Sequence, residues 1–160
     1  MEQDIKREFF RHTLATVAYR GEKVLRDAPA GFEAFRASPT SRTPLEILGH
    51  LGDLFVWALS TVKGKTVWKE YQPVDWEHDR DRFFAALKEL DDYLASDAEI
   101  DRSLEKLFQG PVADSLTHIG QIGFLRRMFD APVRAENFVK AEIERGRVGR
   151  DQSANRLEFD

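Results

Sequence analysis

The chain has 160 residues, no cysteine, 42% hydrophobic and 32% charged residues, and a formal net charge of -4. That length suits one domain that buries a core without staples, and the missing cysteines exclude disulfides, a catalytic thiolate and thiolate metal ligands. A negative balance with scattered Lys and Arg disfavours electrostatic binding to nucleic acid or an anionic membrane.

The small basic group of Arg126, Arg127, Arg145, Arg147 and Arg150 reads as cations near helix C-termini, where they suit the macrodipole. The N-terminus, Met1-Glu2-Gln3-Asp4, is polar and lacks an apolar signal segment. No run of about 18 apolar residues stands out, so no spanning helix is expected and the chain reads as cytoplasmic.

Four long segments carry helical periodicity. The first runs from about Asp4 to Arg26, with Phe9, Leu14, Val17, Ala18, Val24 and Leu25 on its apolar stripe. Pro29 and Gly31 end it, and a loop follows through Pro39. The second opens with Thr43-Pro44-Leu45-Glu46, a capping Thr, Pro at the first helical position and Glu three residues after the Thr. It reaches about Lys63, where Gly64 stops it. The stretch from Gly64 to Asp75 is long for a bundle connection and suits a crossover between helices that are not antiparallel neighbours.

The third helix covers about Trp76 to Ser96, with Phe83, Phe84, Leu87, Leu90 and Leu94 inward and a charged outer face. A turn of helix between Asp101 and Phe108 is expected next. Gly110-Pro111 then opens the fourth long helix, which ends near Phe129 before Ala131-Pro132. A short helix from Ala135 to Glu144 and a tail from Gly146 to Asp160 complete the reading, with no strand. The expected fold is an all-α four-helix bundle forming a single domain.

The second and fourth long helices stand apart in charge. Glu46 and Asp53 are the only charged residues from Leu45 to Leu59, and Asp114 is the only one from Pro111 to Leu125. Helices so poor in charge are expected to be buried over most of their circumference, and a buried polar side chain without a partner costs about 1–3 kcal/mol. Asp114, His118, Gln121 and Leu125 share one stripe; Glu46, His50, Asp53 and Trp57 repeat the spacing. If the stripes face each other, His50 meets Asp114 and His118. Bundle cores build metal sites this way, and two imidazoles with one carboxylate suit a divalent first-row ion with positions left open for water or substrate. Asp53 and Gln121 are then candidates to orient the imidazoles.

His50-Leu51-Gly52-Asp53 and His118-Ile119-Gly120-Gln121 repeat a His-x-Gly-polar pattern. A mid-helix Gly costs roughly 1 kcal/mol against Ala, so close helix approach or room for a ligand should compensate. Trp68, Tyr71 and Trp76 either line the mouth of a cleft or pack over a bundle end. His12 and His78 sit among charges and read as solvated. Ser115 lies beside Asp114 and near His118, but no Gly-x-Ser-x-Gly elbow supports a serine hydrolase.

The segment from Gly110 to Met128, with His118-Ile119-Gly120-Gln121 at its centre, resembles the last core helix of the DinB-like (DinB/YfiT) family. Pro44 to Leu54 resembles that family's second helix, which supplies one His. The resemblance implies an up-down-down-up four-helix bundle and a divalent metal, nickel or zinc foremost and iron next. The ligands carried over are His50, Asp114 and His118. Asp114 departs from the pattern, since the family has a His there. The resemblance also implies a homodimer, and a transferase that uses a low-molecular-weight thiol. The alternative is a non-catalytic dimeric stress-response or binding protein with a vestigial metal site.

Overall fold

A computed structural model describes residues 1–160, the side chain of Gln3 apart. Helix α1 spans Glu2–Leu25, α2 Pro44–Val62 and α3 Trp76–Ala95. A short α4, Leu104–Leu107, leads through a π turn at Phe108–Val112 into α5, Ala113–Met128. Thr43 and Glu46 form the expected capping box at the start of α2, and Asp75 caps α3 by accepting from the His78 N–H.

The four long helices close into a ring in which α1 touches α3 and α5, and α2 touches the same two. Side-chain contacts give the directions. Gly49 faces Asp79 and Gly52 faces Arg82, so α2 and α3 are parallel. Arg11 meets Asp91 while Gly21 meets Phe83, so α1 and α3 are antiparallel. On α5, Gly110 precedes it against Trp57 and Asp114 faces His50, so α2 and α5 are antiparallel. The order is up-down-down-up, and the 64–75 connection is the crossover that lets α2 and α3 run the same way.

Leu14 and Leu25 of α1, Leu48, Leu51 and Phe55 of α2, and Phe83, Leu87, Leu90 and Leu94 of α3 are sealed from solvent with Ile122 of α5. Helix α2, at 19 residues and mean hydropathy 1.3, is long and apolar enough by composition to cross a membrane, contrary to the expectation from the sequence. Its apolar residues are instead the centre of the bundle core.

Several other expectations need correction. Phe10, not Phe9, lies in the core; Phe9 is 68% exposed, because Phe10 keeps the i, i+4, i+7 spacing with Leu14 and Val17. Residues 135–144 form no helix: Ala135–Glu136 is a two-residue strand, β1, paired antiparallel with β2, Glu158–Phe159. The segment from Gly146 to Asp160 is therefore fastened to the bundle. Of the arginines expected near helix C-termini, Arg126 and Arg127 are in the last turn of α5, Arg126 donating to the Val24 and Arg26 carbonyls; Arg145 and Arg150 follow no helix and pair instead with Glu8, and with Glu77 and Asp81.

A buried ionic cluster holds the C-terminal segment against α1. Lys23 Nζ lies 2.9 Å from Glu136 and 2.6 Å from Glu158, and Arg156 reaches Glu22 at 2.6 Å. The Tyr19 hydroxyl donates to Glu136; burial, then that carboxylate, push its pKa up to about 12.

The repeated mid-helix glycines serve different ends. A Cβ on Gly52 would stand 2.8 Å from the Arg82 guanidinium, which is anchored to Asp53 and to the Gly49 carbonyl. A Cβ on Gly120 would meet nothing within 4 Å. Gly120→Ala is therefore expected to stabilise by roughly 0.5–1 kcal/mol through helix propensity. Gly52→Ala is expected to destabilise by about 1–3 kcal/mol through overpacking. Chemical denaturation of the two variants checks the contrast, which a purely propensity-driven effect would erase.

Candidate metal centre

His50 projects from the middle of α2 toward α5, where Asp114 and His118 lie one turn apart on the same face. The π turn ahead of α5, with Gly110 packed on Trp57, sets the register that brings this face round to His50. One ligand atom from each of His50, Asp114 and His118 falls within a 4.8 Å group that can hold a metal ion. Asp114 Oδ2 stands 3.4 Å from His50 Nε2 and 3.4 Å from His118 Nε2. In a tetrahedral site with metal–ligand distances of about 2.0–2.2 Å, neighbouring donors stand about 3.3–3.6 Å apart. These two separations fit that geometry.

The hydrogen-bond pattern sharpens the fit. His118 Nδ1 lies 2.9 Å from Gln121 Oε1, an acceptor, so Nδ1 donates to it and Nε2, the atom turned to Asp114, is the one available to a metal. A cation between Nε2 and the Asp114 carboxylate would meet a donor atom on each side. Burial, ahead of the opposing hydrogen bond that Asp114 accepts from His50, holds His50 below its ordinary pKa of 6.5; the neighbouring His118 and then Arg42 add to the effect. The shift favours the neutral imidazole, the form that ligates.

The residues expected around the imidazoles divide. Gln121 orients His118 as described. Asp53 is 4% exposed and turns away, accepting from Arg82 at 2.8 Å and from the Tyr71 N–H at 3.4 Å, because its stripe on α2 faces α3 rather than α5. Glu46 also leaves the stripe, closing the capping box and meeting Arg36. Trp68 packs edge-on against His50 and Trp57, while Trp76 lies at the bundle end against Phe32. His12 and His78 are exposed, as expected.

The site is at the surface rather than deep in the core. The side chains of His118, His50 and Asp114 are 13%, 19% and 47% exposed. His50 and His118 open on a cleft of roughly 820 Å³ between α2, α5 and the loop before α2, with Ile47, Phe124, Leu125 and Met128 on its walls. The low charge of α5 is explained here: its outer stripe of Thr117, Gly120, Gln121 and Phe124 lines an open cleft, not a buried contact. Arg42 also lines this cleft; the sequence reading missed it, and only its place just ahead of the Thr43 cap hinted at it.

No protein-family model, curated protein or solved structure matches the chain.

Proposed function

We propose that the chain is a divalent-metal-dependent enzyme of the DinB-like type, transferring a low-molecular-weight thiol to an electrophilic substrate. One observation carries this: ligand atoms of His50, Asp114 and His118 fall within one 4.8 Å group, and His50 and His118 line an open cleft that would admit a substrate to an ion held there. The donor set of two imidazole nitrogens and one carboxylate oxygen suits zinc or nickel. A bound divalent ion would supply positive charge that favours the thiolate form of a thiol at neutral pH.

The chain's own residues account for the rest. His50 and His118 offer nitrogen donors, Gln121 orients His118 by accepting from its Nδ1, and Trp68 packs edge-on against His50. Among the described residues, the titratable side chains lining the cleft are His50, His118 and Arg42. With no separate acid or base in the cleft, the chemistry concentrates at the His50–Asp114–His118 group. A chain without cysteine leaves the thiol to come from outside. The up-down-down-up order supports the DinB-like reading, and a homodimer in the cytoplasm completes the proposal.

Cobalt(II)-loaded protein titrated with 2-mercaptoethanol tests the thiol role. A sulfur-to-cobalt charge-transfer band in the near ultraviolet, absent with ethylene glycol and absent in His118→Ala, is the expected result. Loaded protein whose spectrum ignores millimolar thiol would overturn the transferase reading.

A further inference from the structure

We propose that the cleft beside the His50–Asp114–His118 group binds an apolar carboxylate, its charged end held by Arg42 and its hydrocarbon body lying along Ile47, Phe124, Leu125 and Met128. This names a substrate class for the enzyme proposed above; its role as substrate rests on that reading, its binding does not.

Arg42 is exposed, lines the cleft, and among the described residues makes no ion pair or side-chain hydrogen bond, whereas nearby Arg36 and Arg82 are held by Glu46 and Asp53. Its root is fixed on both sides. Thr43 locks into the capping box, and the Ser41 carbonyl accepts from Arg36. The free guanidinium is thus presented from a rigid backbone, the preorganisation that charge-assisted recognition of a carboxylate uses.

The opposite wall is apolar. Phe124 is 64% exposed and Met128 47%, large side chains that a solvated helix face seldom carries side by side. An apolar cleft with one convergent cation fits a ligand with an apolar body and a single negative charge. A polyphosphate would need further cations than Arg42, which the walls do not offer.

Calorimetric titration with octanoate and octanamide, on metal-free and zinc-loaded protein, tests the proposal. Octanoate is expected to bind wild type more tightly than octanamide, and Arg42→Gln to weaken octanoate by about tenfold or more. The same variant should leave octanamide binding unchanged. Phe124→Ala should weaken both ligands, and the Met128 methyl resonance should shift on binding. Equal affinity for the two ligands, an Arg42→Gln variant that binds octanoate as well as wild type, or no binding of octanoate at millimolar concentration would each overturn the proposal. Failure of the metal reading looks different: no zinc uptake, with octanoate binding through Arg42 retained.

Discussion

Replacing Lys23 by Met is expected to lower the stability of the protein by about 3–5 kcal/mol, the cost of leaving a buried charge without its partner. The Glu136 side chain is fully buried and the Lys23 side chain 4% exposed, so water cannot replace the lost ammonium. Glu158 keeps Arg26 at 2.8 Å, which confines the damage to Glu136. For a chain of this size the loss corresponds to a fall in Tm of about 6–20 °C. Adding Glu136→Gln to the Lys23→Met background should recover part of the loss. The second change removes the orphaned charge and keeps an acceptor for the Tyr19 hydroxyl. Thermal unfolding of the single and double variants measures both effects. A fall below about 1 kcal/mol in the single variant would mean that the C-terminal segment is not locked to α1 through this pair.

The second large effect concerns metal affinity. Gln121→Ala is expected to weaken zinc binding by about 10–100-fold, because the freed His118 ring loses its fixed tautomer and orientation. His118→Ala and His50→Ala should each exceed that range, since each removes a donor atom outright. All three side chains sit at the cleft rather than in the sealed core, so the variants should keep the helical signal of wild type. Competition titrations against a chromophoric chelator give the affinities. Equal effects at Gln121 and His118 would contradict their assignment as an orienting residue and a ligand.

Much of this was legible in the sequence because local rules and global packing agree there. Thr43-Pro44-Leu45-Glu46 can do little but start a helix, and the structure shows the full capping box. The Phe83, Phe84, Leu87, Leu90 and Leu94 stripe is buried as its period requires. The stripe argument on α5 correctly set Asp114, His118 and Gln121 on one face, but on α2 it grouped residues that diverge. A stripe with spacings of four, three and four spans enough of the circumference to touch two neighbours, so His50 faces α5 while Asp53 faces Arg82 on α3.

The charge-poverty rule failed in another way on α5. It cannot distinguish a helix buried by protein from one facing an apolar cleft, and Phe124 and Met128 belong to the cleft. Long-range contacts were invisible. Nothing near Glu136 or Glu158 foretells that they converge on Lys23, more than 100 residues away along the chain, so the pairing that pins the C-terminal segment had no local signal. The same holds for Asp91, whose place on a charged face hid its buried bidentate contact with Arg11.

The central claim is that His50, Asp114 and His118 hold a divalent ion, and elemental analysis of the untagged protein tests it most directly. Wild type should carry near-stoichiometric zinc or nickel, or take it up on addition, and the His50→Ala/His118→Ala double variant should carry none. Wild type that contains no metal and takes up neither ion would contradict the account and recast the three residues as a polar network at the mouth of an apolar cleft.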